Sequence, residues 1–240
     1  MGTLVDYQDP VTGGAYTERP EIRSSQRQDL FPTAQLGMTA LMTGRRQVAE
    51  GCFRWLSELF ELQPELPNRL FSARDENGLI RPEGEEPGSM LEFEVVTDFD
   101  KGRQAFYNPG IAAAFLGRYY SQTGDEAARD LGRGYLRLSA EGTEEQFDFL
   151  ESMQICKFGW GVSHMAEVDP EGGHLPNVVR MAEWFIASQF DDGRWRNSPF
   201  LTPEPTLGGD MEITAEFVLH ASTILNTLIG LDRGPVGRGT

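Results

Sequence analysis

Lysine is almost missing from this chain: of 21 basic residues, only Lys101 and Lys157 are lysines. Cysteine is as scarce. Cys52 and Cys156 stand alone in apolar stretches without CxxC spacing, which argues against a disulfide framework or a cysteine zinc site and predicts buried free thiols. Positive charge is outweighed, with a formal net charge of −16, so nucleic acid and anionic membrane surfaces are not expected as partners. Long apolar runs are missing too: charge interrupts each one before the roughly 20 residues of a membrane span. The opening MGTLVDYQDP has neither the basic nor the apolar region of a secretory signal, so the expected location is the cytoplasm.

What remains is enough for one core. The 240 residues are 39% hydrophobic and 10% aromatic, which fits a single folded domain over 1–240. Their organisation comes from an internal repeat. Thr43-Gly44-Arg45, Thr123-Gly124-Asp125 and Gly172-Gly173-His174 read as turns, and 11 residues after each central glycine stands an aromatic: Trp55, Tyr135 and Trp184. Each aromatic lies on a stretch with apolar residues at three-to-four spacing (VAEGCFRWLSELF, EAARDLGRGYLRL, NVVRMAEWFIASQF), the pattern of an amphipathic outer helix. Before each turn lies a helix richer in small residues: TAQLGMTALM, NPGIAAAFLGRYYSQ and the region of GWGVSHMAEV. A last one, MEITAEFVLHASTILNTLIG, is apolar on most of its circumference.

The expected fold is therefore all-α, an α/α toroid of inner and outer helices. Pro109 suits the first turn of the second inner helix, and Thr143 with Gln146 reads as a capping box. Residues 64–105 break the period with prolines, a DENG turn and the alternating run LEFEVV, predicting a short β-hairpin or lid insertion. Four inner but only three outer helices predict an incomplete ring, either open or closed by a second copy in a homodimer.

Residues 180–195, RMAEWFIASQFDDGRW, then show a basic residue, an aromatic, Gln189, Gly193 and Trp195 at the spacing of the QW motif. This segment resembles the squalene-cyclase branch of the terpenoid cyclases, whose fold is an α/α toroid. The resemblance implies that Gln189 caps the end of an outer helix and that Trp195 stacks over it. It does not extend to chemistry: no DxDD string is present, Asp98-Phe99-Asp100 being the closest, and no DDxxD. The histidines His164, His174 and His220 lack partners at short ligand spacing, so no metal is expected.

In toroids the inner helices converge on a funnel, and their polar residues are the candidates. Glu212, Glu216 and His220 fall at i, i+4 and i+8, one column of an apolar helix, where a buried carboxyl could serve as general acid or base. Lys157 could polarise a carboxylate, enolate or phosphate. These four are the expected catalytic residues. Tyr107, Asn108, Trp160, His164, Gln35 and Phe31 are the expected substrate-binding ones. The glycine pairs lack the strand and helix of a dinucleotide loop, so no cofactor is expected. The resemblance favours a cofactor-independent cyclase or isomerase folding an apolar polyene, which requires an apolar funnel. A carbohydrate-active epimerase, lyase or glycosidase would instead need a polar funnel with aromatic platforms. A non-catalytic binding module would have an exposed apolar patch and no pocket.

Overall fold

A computed structural model describes residues 5–82, 89–148, 155–196 and 206–232. Among them are eight α-helices: α1 Leu30–Met42, α2 Arg46–Glu61, α3 Met90–Val95, α4 Tyr107–Thr123, α5 Glu126–Ala140, α6 Cys156–Val168, α7 Leu175–Ser188 and α8 Leu207–Asp232. The small-residue helices α1, α4, α6 and α8 pack side by side in sequence order as an inner row. The amphipathic helices α2, α5 and α7 lie outside, each against the inner helix before it. This is the α/α toroid expected from the repeat.

Local chemistry explains each hairpin. Gly44, Gly124 and Gly173 all adopt φ near +70° (69°, 71° and 68°), the left-handed conformation that glycine adopts without strain, and each turns an inner helix into its outer partner. The repeat aromatics then point inward and are buried. Trp55 Nε1 donates to Gln28 Oε1 at 2.7 Å, Tyr135 Oη to the Leu56 carbonyl at 3.0 Å, and Trp184 Nε1 to the Phe147 carbonyl at 3.1 Å. Each thus brings a large apolar surface to the core while its polar hydrogen is satisfied.

The QW-like segment departs from the roles that the resemblance implies: Trp195, not Gln189, meets a carbonyl at the helix end. Trp195 Nε1 donates to the Phe185 carbonyl and to Ser188 Oγ, both at 3.1 Å, closing the C-terminal end of α7. Gln189 Nε2 donates to the Gly193 carbonyl at 2.9 Å across the turn that Gly193 opens at φ 85°.

Three local expectations are corrected. The run LEFEVV does not form a hairpin: Ser89 Oγ accepts from the Glu92 amide, capping the short helix α3, and only Val96–Asp98 is extended, as β5. This strand pairs antiparallel with β2, Arg69–Phe71. The hairpin sits at the DENG turn instead, where β3 (Ala73–Asp75) meets β4 (Gly78–Leu79), and β3 also pairs with β1 (Gln28–Asp29) ahead of α1. Second, Thr143 and Gln146 open a 3-10 turn over Glu144–Phe147 rather than an inner helix, and Gln146 Nε2 donates to the Ser139 and Thr143 carbonyls, both at 2.8 Å. Third, α8 is long and apolar enough by length and composition to cross a membrane. The charged residues along it, and the Phe217, His220, Ile224 and Thr227 face packed against the core, are those of a ring helix.

Candidate functional site

The inner helices α1, α4 and α6 begin at the same end of the arc, and none has a side-chain N-cap. A pocket of about 400 Å³ opens there, lined by Phe31 and Pro32 of α1, Tyr107 and Asn108 of α4, and Lys157 of α6. Thr17, Arg27, Asp29, Ser72 and Glu94 complete it from β1 and the segments around the small sheets. Three positive helix ends therefore converge on a cavity that also holds two carboxylates, an arrangement that favours negative charge there.

Arg27 organises the acids. Its Nε and NH2 contact Asp29 Oδ1 at 2.9 and 2.7 Å, while NH1 reaches Glu94 Oε2 at 2.9 Å. Thr17 Oγ1 also donates to Asp29. Asp29 is buried and rigidly held, whereas Glu94 is half exposed at the mouth. Opposite them Tyr107 packs edge-on against Phe31, with centroids 5.4 Å apart and planes at 86°. Burial, followed by the charges of Asp29 and Glu94, raises the Tyr107 pKa and keeps its hydroxyl protonated as a donor.

Lys157 lines the pocket and is nearly buried, with its ammonium 5.9 Å from the Phe31 ring centre and hydrogen-bonded to Glu216 of α8. Burial alone would depress its pKa, but the neighbouring Cys156 sulfur and Glu216 carboxylate more than offset this, and the net shift is upward. Glu216 responds in kind: burial pushes its carboxyl up, yet the Lys157 charge and hydrogen bond bring it below the ordinary value. Lys157 is thus a fixed cation on the pocket wall.

The other expected residues disperse. Glu212 is exposed, so the column on α8 splits as the helix turns from solvent towards the core. His220 is buried against Trp160, with rings stacked at 5.2 Å and 19°. Burial depresses its pKa to about 4, which keeps the imidazole neutral. His164 lies at the opposite end of the inner helices in a separate pocket of about 210 Å³, where Arg118 Nε donates to its Nε2 at 3.3 Å. Gln35 lines a neighbouring pocket of about 300 Å³ with Tyr7, Tyr16 and Leu36, which shares Phe31 and Pro32 with the first. Phe31, Tyr107, Asn108 and Lys157 alone among the expected residues meet in one cavity.

Arg27, Asp29 and Glu94 were not among the candidates. Asp29 carried one usable signal, its place immediately before the apolar Leu30-Phe31 that begins α1, where an N-cap is expected. Its carboxylate makes no cap and faces Arg27 instead. Arg27 and Glu94 are 67 residues apart, and nothing local links them.

No protein-family model and no curated protein matches this chain. Its structure is similar to the crystal structure of a family 76 glycoside hydrolase from a bovine Bacteroides thetaiotaomicron strain, with a TM-score of 0.51 and 13% sequence identity. The likeness covers 86% of this chain and 45% of that one, so the chain spans less than half of the matched structure. At that identity the likeness shows the fold, an α/α toroid, and it lends no support to the terpenoid-cyclase reading.

Proposed function

We propose that this domain is a carbohydrate-active enzyme that binds a sugar in the pocket at the N-terminal ends of α1, α4 and α6. The supporting observation is the lining itself. Around the Phe31 and Tyr107 rings stand a fixed arginine, a fixed ammonium, two carboxylates, an amide and two hydroxyls besides that of Tyr107. A polyene would strip water from these groups and offer no hydrogen bond in return, a cost even where the protein pairs them with one another. A sugar would satisfy them, with its hydroxyls on Asn108, Lys157 and Asp29 and its apolar face on an aromatic ring. The likeness to a glycoside hydrolase agrees with this reading.

For glycosidic cleavage the two acids would divide the work. Asp29, fixed by Arg27 and Thr17, suits the base or nucleophile. Glu94 has one charged contact and stands at the mouth, where it could protonate a leaving sugar. Lys157 would hold a hydroxyl rather than carry a proton, because Glu216 stabilises its charged form.

The test is reducing-sugar release from a glycan panel, with binding followed by calorimetry. The wild type should bind and cleave at least one glycan, and Asp29→Asn and Glu94→Gln should each lower turnover by about 10²–10⁴-fold while binding persists. Binding without turnover by the wild type would make the domain a carbohydrate-binding module, and neither binding nor release across the panel would end the carbohydrate reading.

We further propose that a second copy of this chain completes the ring. The exposed apolar face of α8 supports this.

A further inference from the structure

Behind the Lys157 wall of the pocket lies a group of donors of which the proposed sugar chemistry uses only Glu216, and that only to hold Lys157 charged. Cys156 opens α6, and Glu216 and His220 sit one turn apart on α8. One ligand atom from each lies within 4.8 Å of the other two. Cys156 Sγ is 3.6 Å from Glu216 Oε1, and His220 Nδ1 is 4.0 Å from the same oxygen. His220 Nδ1 is fully buried and has no hydrogen-bond partner, on a side chain only 3% exposed. A buried ring nitrogen left unpaired costs about 1–3 kcal/mol, and one that faces a thiol and a carboxylate is placed to bind a cation.

We propose that Cys156, Glu216 and His220 form a binding site for a divalent transition-metal ion of the zinc class. Tetrahedral bonds of about 2.0–2.3 Å place neighbouring donors about 3.3–3.8 Å apart, so the present spacing closes onto an ion with shifts of about an ångström or less. A thiolate, an imidazole and a carboxylate suit Zn²⁺ or Co²⁺, while magnesium and calcium prefer all-oxygen sites. Three protein ligands leave a fourth position for solvent, as in open zinc sites.

Lys157 is the competitor. Its ammonium bonds to Glu216 and lies 3.9 Å from Cys156 Sγ, so it sits where a cation would. The ion enters as Lys157 releases Glu216 and turns into the pocket it already lines, and the Cys156 thiol gives its proton to solvent as the sulfur–metal bond forms. The third ligand is 60 residues from Glu216 in sequence, which is why ligand spacing gave no sign of the site.

Untagged full-length protein, stripped with chelator, is titrated with Co²⁺ and then Zn²⁺. One equivalent of Co²⁺ should give a thiolate charge-transfer band with tetrahedral visible absorption, and Zn²⁺ should abolish both. Cys156→Ser and His220→Gln should weaken binding beyond the roughly 10–100-fold that loss of an outer-shell partner costs. Lys157→Met should tighten it, and Cys52→Ser should leave it unchanged. The inference fails if neither the wild type nor Lys157→Met gives the band, or if the band follows Cys52. Because the readout is metal absorption, it is independent of whether any glycan is bound or cleaved.

Discussion

At the residue scale, burial and charge oppose each other at Lys157 and Glu216, and the attraction prevails. Glu216 titrates below its ordinary value in the folded chain, so its contribution to stability is complete above the unfolded pKa and is lost as pH falls through the folded one. Lys157→Met removes the cation and leaves burial to act alone, which reverses the sign. The variant should lose about 3 kcal/mol near pH 7, at the low end for a broken buried pair because Glu216 is 28% exposed. That deficit should shrink as pH is lowered towards 5, where the stranded carboxyl takes up a proton. Urea titrations at both pH values check this, and a deficit independent of pH would contradict it. His220 supplies a second signature. Its pKa falls from 6.5 to about 4, so between those values the unfolded chain binds a proton that the folded chain refuses. Stability should therefore drop by about 3 kcal/mol as pH falls through this window. His220→Gln should lack that part of the slope, with Glu216, Lys157 and Trp160 still facing the site. Equal slopes in the two proteins would mean that His220 does not titrate in this way.

Among the elements, α4 and α6, which bring Tyr107, Asn108 and Lys157 to the pocket, approach each other closely. A Cβ at Gly161 would lie 2.3 Å from the Gly110 carbonyl oxygen, and one at Gly110 would lie 2.2 Å from the backbone of Lys157. These helices meet backbone to backbone, so Gly161→Ala must push them apart. The expected cost is about 3 kcal/mol, with weakened sugar binding as Lys157 shifts relative to Tyr107 and Asn108. Gly208→Ala, on α8 with open space around its Cβ, is the control and should lose nothing. Thermal denaturation of both variants decides the matter, and similar melting temperatures would mean that the helices yield cheaply. Glycine also shows why the helical fold was legible in the sequence: the left-handed turns at Gly44, Gly124 and Gly173, the small-residue faces and an aromatic 11 residues after each turn are local signals. The insertion was less legible, since strand β5 is fixed by pairing with β2, and the alternation before it is overridden by one serine cap. The site divides along the same line. Phe31, Tyr107, Asn108 and Lys157 lie on helix starts that periodicity locates. Arg27, Asp29 and Glu94 reach the pocket through strand pairing and a long-range ion pair.

On the scale of the whole molecule, α8 is the last described helix of the inner row, and it has a second face. Leu207, Met211, Val218, Leu225 and Ile229 recur at four- and seven-residue intervals and are exposed, as is Leu219 beside them. They form a stripe separate from the Phe217, His220, Ile224 and Thr227 face that packs inward. In a complete ring such a stripe would meet the next helix, and here the chain matches less than half of a similar toroid. An apolar stripe of this length tends to be covered, because each large side chain removed from water contributes about 1.5–3 kcal/mol. The proposed second copy would cover it with the same stripe across a two-fold axis, so each protomer shields the other. Sedimentation or light scattering should then give a dimer at micromolar concentration. Val218→Glu with Leu225→Glu should give a monomer, because the paired stripes would bury like charges against each other. Since both side chains are exposed on the single chain, the double variant should keep its helical content and bind metal as the parent does. A wild type that stays monomeric throughout, with the same melting temperature at every concentration, would mean that α8 meets no second copy and that the ring stands open.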